Sequence, residues 1–459
     1  MRIPSFLALA ILAVGSRGLA IEAPASMQRL LASAAAGDVL DISALSPTTM
    51  PALNVSRTWS GGTLVFSDSP EYVPGPGILY ADTLAPGPVR MMLYHVNATS
   101  EPGNTKQTLK LSVVVEPADP ANPPTLTMRR KIIYGASGDY LSVGLHAAYD
   151  QVSLPDTPSS RVISAPQLLD TQLETHTIPG SSYEPLLEAV YDFDVADSGL
   201  KFTAVALKST TNTLANYAGL AALPREASSP GVYVHDRGTY TNATEKTIAI
   251  ANGASYATSL GMTHIRAGGG NRDAMGKDPD AGEGTSVGVD AMLGVASTLR
   301  GNYAVQYHFQ LKALAPDGRR LAILLNPRGG AIGAAVSVTD ALTSAGAFYA
   351  PTSGLLTLTT QAALLGRWDP VRTPTIDFTW TPPGATSLPV EFILIPYPEP
   401  GDAGGNGVVD LADAVMALRF ASGQAAPNSR QLIAADMDGN GAVSLADVAA
   451  ILRRAAGLR

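Results

Sequence analysis

Short apolar segments, separated by proline and glycine, make up most of the chain between residues 21 and 398. Segments such as 109–113 and 306–311 carry an apolar side chain at every second position, which is typical of strands with one buried face. The 44 glycines and 34 prolines include clusters such as 74–77 that end these segments. The pattern predicts a mainly β body of one or two antiparallel β-sandwich domains, placed at residues 21–200 and 201–398.

A few local features qualify this pattern. Apolar periodicity predicts helices at 27–35 and 287–299. Trp380 is expected in a core strand and His95 inside a strand as a structural residue. The stretch 135–139 differs by one residue from a Gly-x-Ser-x-Gly elbow, but we expect no strand-to-helix turn there and interpret Ser137 as a loop serine.

The first 20 residues have the features of an export signal. A short positive start is followed by an apolar segment at 6–14 and by small residues before Ala20, where we expect cleavage. No later segment has enough apolar residues to predict a transmembrane anchor. The chain is therefore expected to be secreted into the extracellular medium.

Charge and cysteine content exclude several classes of function. The net charge of −8 does not favour nucleic acid as a partner. The chain has no cysteine, so disulfides, thiolate metal sites and a cysteine nucleophile are excluded.

Candidate chemistry in the body is sparse. One acidic loop contains Asp273, Asp278, Asp280 and Glu283. Two of these carboxylates could act as acid and base in glycoside cleavage, the loop could hold a hard cation, or it could be a solvated loop. The six histidines are too far apart for a local zinc motif, and a zinc site assembled from distant loops stays open.

The C-terminal region contains an internal repeat with an offset of 34 residues. Segments 402–423 and 436–457 are identical at 12 of 22 aligned positions. This similarity indicates a duplication.

Each copy begins with the spacing of a calcium-binding loop, which needs oxygen ligands at positions 1, 3, 5, 7, 9 and 12 and glycine at position 6. Gly407 and Gly441 occupy position 6, and Gly404 leaves position 3 of the first loop without a side-chain ligand. The predicted ligands of two Ca²⁺ ions, with backbone carbonyls at Val408 and Ala442, are Asp402, Asn406, Val408, Asp410, Asp413, Asp436, Asp438, Asn440, Ala442, Ser444 and Asp447.

A helix is predicted directly after each loop. Apolar residues at helical spacing form one stripe on each helix, and we expect the two stripes to pack together. The stripe residues are Leu411, Ala414, Val415 and Leu418 in the first helix and Leu445, Val448, Ile451 and Leu452 in the second.

Two calcium loops, each followed by a single helix, resemble a type I dockerin over residues 401–459. The resemblance implies a small all-α calcium-binding domain that binds a cohesin-type protein. By position, it implies partner contacts at Leu411, Ala412, Arg419, Leu445, Ala446 and Arg453. Cellulosomal dockerins frequently carry a hydroxyl pair where this chain has Leu-Ala.

Two functional hypotheses follow. The first is a non-catalytic β body for adhesion, scaffolding or glycan binding, docked through the C-terminal module. The alternative is a carbohydrate-active enzyme (glycoside hydrolase, lyase or esterase) in polysaccharide breakdown, because dockerins commonly accompany such enzymes. Segments 64–71, 326–330 and 380–384 resemble parts of uncharacterised secreted bacterial proteins, which implies no activity.

Overall fold

The computed structural model describes residues 20–45, 50–226, 235–268, 286–299, 301–343 and 345–458. The predicted export signal, apart from Ala20, and the acidic loop with Asp273, Asp278, Asp280 and Glu283 lie outside these residues. The helices are α1 (Ala25–Ser33), α2 (Tyr140–Ser153), α3 (Thr213–Asn216), α4 (Leu411–Ala421), α5 (Ser429–Ala435) and α6 (Leu445–Ala455).

The strands, in chain order, are β1 (Val39–Asp41), β2 (Val55–Ser60), β3 (Thr63–Ser67), β4 (Tyr72–Val73), β5 (Gly77–Leu84), β6 (Gly87–Asn97), β7 (Leu109–Pro117), β8 (Thr125–Ser137), β9 (Ser159–Val162), β10 (Gln167–Leu168), β11 (Thr177–Ile178), β12 (Leu186–Ala196), β13 (Leu200–Lys208), β14 (Arg237–Tyr240), β15 (Glu245–Ile250), β16 (Tyr256–Ala257), β17 (Thr263–Ala267), β18 (Ser286–Asp290), β19 (Val295–Leu299), β20 (Gln306–Leu314), β21 (Arg320–Pro327), β22 (Ala334–Thr339), β23 (Gly346–Ala350), β24 (Gln361–Trp368), β25 (Thr375–Thr381) and β26 (Val390–Tyr397).

A nine-stranded sheet, which we call the central sheet, is buried on both faces along its middle strands β6 and β12. Its order is β19-β18-β14-β3-β6-β12-β8-β9, and β4 also pairs with β6. Successive residues of β6 enter different cores: Met91 lies in a core shared with the sheet β10-β7-β13-β5, whereas Met92 lies in a second core. This arrangement follows from the two-residue period of a strand, which sends neighbouring side chains to opposite faces.

The second core joins the central sheet, helix α2 and two further sheets. These sheets have the orders β2-β15-β20-β25-β22-β23 and β1-β24-β21-β26-β17. Helix α1 covers the remaining face of the latter sheet with Met27 and Leu31. Most strand pairs are antiparallel, but β3 and β4 pair parallel to β6, and β15 and β16 pair parallel to β20.

The prediction of a mainly β body is confirmed, as are the predicted helix near 27–35, the core position of Trp380 and the strand position of His95. The helix predicted at 287–299 is wrong, because β18 and β19 form a hairpin there. The interpretation that no strand-to-helix turn surrounds Ser137 is also wrong, since β8 ends at Ser137 and α2 begins at Tyr140.

Strand order does not divide the body at residue 200. Strand β13 begins at Leu200 and pairs with β5 and β7, and the other three sheets also contain strands from both sides of that residue. The division into domains at 21–200 and 201–398 therefore stays a prediction.

The three C-terminal helices have a small core of their own. It contains Ala414, Ala417, Phe420, Val448 and Ile451. Throughout the described part of the chain, the helices are too short or too polar to cross a membrane.

Candidate functional site

The two C-terminal loops share one hydrogen-bond pattern, repeated 34 residues apart. Asp402 accepts hydrogen bonds from the backbone N–H groups three, four and five positions later, at 2.6, 3.0 and 2.9 Å. Asp436 accepts from the same relative positions at 2.9, 3.1 and 2.8 Å. Asp413 and Asp447 each accept from the N–H three positions earlier at 2.8 Å. The sequence duplication is therefore also a duplication of backbone conformation.

Glycine is required at the sixth position of both loops. Gly407 has a φ of 83° and Gly441 a φ of 91°, in the left-handed region that residues with a Cβ rarely adopt. The N–H of each of these glycines donates to the first carboxylate of its own loop.

The remaining predicted ligands bind the backbone in the same repeated manner. The side-chain oxygens of Asn406 and Asn440 accept from the N–H groups of the predicted carbonyl ligands, Val408 and Ala442, at 2.8 and 2.9 Å. Asp410 caps α4, and its counterpart Ser444 caps α6 through the N–H of Ala446 at 3.2 Å. The structure thus brings each predicted ligand set together within one loop.

The acidic groups of these loops suit a hard cation. Asp436, Asp438 and Asp447 each offer one carboxylate oxygen, and these oxygens lie within 4.8 Å of one another. In the first loop Asp402 and Asp413 are almost fully buried. Burial and the neighbouring carboxylates raise the pKa of Asp413 above its usual value. Oxygen donors crowded in this way are the ligand type that Ca²⁺ prefers.

An arginine lies beside the first carboxylate of each loop. Arg29 on α1 places Nη2 2.5 Å from Asp436 Oδ2 and donates to the Gly439 carbonyl at 3.3 Å. Arg430 on α5 places Nη2 3.7 Å from Asp402 Oδ2. The second loop is therefore in contact with the N-terminal helix of the body.

The predicted packing of the two helix stripes is only partly correct. Ala414, Val448 and Ile451 are buried, but the other large side chains of both stripes point outward. The buried face of each helix carries its loop aspartate, Asp413 or Asp447. The exposed residues are Leu411 at 65 %, Val415 at 52 %, Leu418 at 45 %, Leu445 at 68 % and Leu452 at 42 %.

The partner contacts implied by the dockerin resemblance all lie at the surface. They are Leu411, Ala412, Arg419, Leu445, Ala446 and Arg453, each of which is exposed. Together with the outward leucines and Val415, they give α4 and α6 apolar surfaces flanked by arginine.

A second candidate site, a cavity of about 340 Å³, lies in the body. Its lining includes Tyr94, Tyr140 and Tyr303, the acidic residues Asp68 and Glu71, and His235, with the backbone of residues 384–387 at one side. No sequence motif indicated this site, since its residues come from several segments spread over more than 300 positions.

Carboxylates surround His235 in this cavity. Its Nδ1 lies 2.7 Å from Glu226 Oε2, and its Nε2 forms an ion pair with Glu71. Burial alone would lower the pKa of His235, but Asp68, Glu226 and Glu71 outweigh it and raise the pKa to about 11. Burial raises the pKa of Asp68 well above its usual value.

Glu188 lies deeper, under the same cavity. It is paired across the central sheet with Tyr94 and with Tyr134. The side chain is 3 % exposed, and Oε2 has no hydrogen-bond partner among the described residues. Burial raises the pKa of Glu188 to about 8.

Replacing Glu188 by Gln is expected to change how stability depends on pH. The folded carboxyl keeps its proton up to about pH 8, whereas an unfolded glutamate loses it near pH 4.5. The free energy of unfolding of the wild type should therefore fall as pH rises through this window, by up to about 5 kcal/mol. Between pH 5 and 8.5, the Tm of the E188Q protein should rise relative to that of the wild type as pH increases. The control variant E101Q, which changes an exposed glutamate, should show the same pH dependence of Tm as the wild type. A Tm difference between E188Q and the wild type that stays constant with pH would contradict the assignment.

Comparisons with known proteins give no family. No family model matches the chain, and no curated protein matches it. Among solved structures, a mutant of oxalate decarboxylase from Bacillus subtilis aligns over 74 % of this chain and 78 % of its own at 9 % identity, with a TM-score of 0.10. The Macrobrachium rosenbergii nodavirus structure aligns over 86 % and 96 % at 8 % identity, with a TM-score of 0.13. At these scores the likeness supports no argument about fold or function.

Proposed function

We propose that residues 401–459 form a dockerin-like module that folds around two Ca²⁺ ions and binds a cohesin-type protein. The module would anchor a secreted protein whose β-sandwich body is non-catalytic and serves adhesion, scaffolding or glycan binding. The observation that carries the proposal is the hydrogen-bond pattern of Asp402 and Asp413, repeated by Asp436 and Asp447.

Calcium has a clear energetic role in this proposal. The core of the module contains alanine at four of its seven fully buried positions, so burial of apolar surface contributes little to its stability. Bound Ca²⁺ would offset the repulsion between the loop carboxylates and couple ion binding to folding. Arg29 and Arg430 would compete with the ions for Asp436 and Asp402, so binding includes the exchange of a guanidinium for a metal.

The outward faces of α4 and α6 support a protein partner. Leu411 and Leu445 occupy equivalent positions in the repeat and are both about two-thirds exposed. Arg419 and Arg453 are likewise equivalent and exposed. Exposed aliphatic residues beside arginine are the composition of many protein interfaces. Because the faces are nearly equivalent, either helix could bind the partner.

A second candidate function is a carbohydrate-active enzyme. The cavity lined by Asp68 and Glu71, with Glu188 beneath it, favours it. Burial raises the pKa of Asp68 and of Glu188, and a carboxyl that keeps its proton can serve as a general acid. The two functions differ in one measurable respect: a carbohydrate-active enzyme would release soluble product, whereas a non-catalytic body would not.

Incubation of the full-length protein with a panel of insoluble polysaccharides separates these functions. We expect retention on one or more glycans without soluble sugar products, because the body is proposed to bind only. An E188Q variant serves as the control for any activity found. Product release by the wild type that is lost in E188Q would replace the first function with the second.

Removal of calcium is expected to unfold the module and leave the body folded. Hydrogen exchange followed by mass spectrometry should show loss of amide protection over residues 401–458 after chelation, with protection of β6 and β12 unchanged. The matched variants D402N and D436N should each remove one of two Ca²⁺ ions in a titration. Full protection in the presence of chelator would contradict the proposal.

Charged substitutions test the docking faces. Replacing Leu411-Ala412 by two aspartates should leave binding to a cohesin panel within about threefold, as should the same change at Leu445-Ala446, because the other helix remains competent. The double replacement should abolish binding, since each lost hot spot costs 2 kcal/mol or more. Loss of binding from one replacement alone would contradict the two-face arrangement, and failure of the wild type to bind any cohesin would contradict the assignment of the partner.

A further inference from the structure

We propose that Asp68, Glu71 and His235 bind a divalent transition-metal ion at the edge of the body cavity. The site is separate from the calcium loops and does not depend on the proposed docking function. Its ligand atoms are one carboxylate oxygen from each acidic residue and one imidazole nitrogen, and these atoms lie within 4.8 Å of one another.

Strand pairing brings the three residues together. β14 pairs antiparallel with β3, with Arg237 opposite Ser67. The pairing continues one residue further, where the Asp68 N–H donates to the Asp236 carbonyl at 3.1 Å. His235 therefore lies beside the segment that follows β3, where the chain turns toward Glu71. Each of the three ligands lies within two residues of a strand, and ligands supported by strands are better positioned than ligands on an isolated loop.

Glu226 completes the arrangement from outside the ligand set. Its carboxylate accepts from His235 Nδ1 at 2.7 Å and from the Glu71 N–H at 2.8 Å. Its own N–H donates to Ser69 Oγ at 3.1 Å. A carboxylate that binds Nδ1 fixes the orientation of the imidazole and leaves Nε2 as the metal-binding nitrogen. Metal-binding histidines usually have such a carboxylate on the other ring nitrogen.

Buried carboxylate oxygens without hydrogen-bond partners favour the binding of a cation here. Asp68 is 5 % exposed, and its Oδ1 has no hydrogen-bond partner in the described part of the chain. Glu188 Oε2 also has no hydrogen-bond partner among the described residues. It lies beneath Gly384 in the cavity wall, and a Cβ added to Gly384 would be 2.9 Å from this oxygen. Buried carboxylate oxygens of this kind carry a large desolvation cost unless a cation or donor faces them.

Formal charge favours the same conclusion. Asp68, Glu71 and Glu226 place three carboxylates around a single imidazole. The neighbouring Arg237 does not compensate them, because its guanidinium pairs with Asp290 at 3.0 Å. A divalent ion bound to Asp68, Glu71 and His235 would place positive charge among these acidic groups.

The chemical types of the three ligands indicate which metal ions the site would bind. Two carboxylates and one imidazole suit Zn²⁺ or Mn²⁺, and three protein ligands leave a position open. The three ligand residues line a cavity of about 340 Å³, whose wall also contains Tyr94, Tyr140 and Tyr303. The open position would therefore take water or an oxygen donor from a small molecule that fits among these rings.

Zinc binding by the full-length protein, with its loops saturated with Ca²⁺, tests the inference. Equilibrium dialysis should show one tightly bound Zn²⁺ per chain, and X-ray absorption should show nitrogen and oxygen ligands including one imidazole. H235Q and D68N should each weaken Zn²⁺ binding at least tenfold. E226Q should weaken it about 10- to 100-fold, because Glu226 orients the imidazole of His235. Zn²⁺ should also raise the Tm of the wild type, because it binds the folded state.

Two controls separate this site from adventitious binding. H146Q, which removes an exposed histidine on α2 away from the cavity lining, should bind Zn²⁺ like the wild type. D436N should do the same, because it alters only a calcium loop. If H235Q or D68N fails to fold, E226Q decides alone. Absence of bound zinc at 100-fold excess, or equal affinity in wild type and E226Q, would overturn the inference.

Discussion

The burial of both faces of the central sheet along its middle strands is the constraint on which the rest of the body depends. β6 and β12 are buried at almost every position, so most of their consecutive side chains must be apolar. A polar residue can enter such strands only with a partner. Asp192 on β12 illustrates this, since Arg90 on the neighbouring strand donates to it at 2.7 Å. Glu188 is an exception to that rule.

The candidate sites lie where this constraint ends. The cavity opens just beyond β3, where backbone pairing stops and carboxylates can gather without interrupting a sheet. The C-terminal loops lie outside the sheets altogether, and their polar side chains satisfy the backbone of the loop itself. One chain thus contains two kinds of acidic cluster, one built by distant strands and one by local sequence.

That difference explains what the sequence could predict. The alternation at 109–113 and 306–311 predicted β7 and β20, because a strand with buried residues needs only local information. The loop contacts are local too, within twelve residues. By contrast, Asp68 and His235 are 167 positions apart, and only the register of β14 on β3 brings them together.

Two wrong predictions have related causes. Residues 287–299 have helical periodicity, but pairing of β18 with β14 outweighs that local preference. The stripe containing Leu411 has helical spacing, but periodicity does not say which side of the helix a neighbouring element will cover. Here the covered face is the one that carries Asp413 and the small residues Ala414 and Ala417.

The pairing of β1 with β24 affects how the protein can be made. Leu40 lies opposite Ala362, so the first strand has no partner in its sheet until more than 300 further residues have been synthesised. Arg29 must wait longer still for Asp436. Contacts this distant in sequence make folding slow, because the entropy of closing a long loop opposes their formation. The body can close only when nearly the whole chain is available.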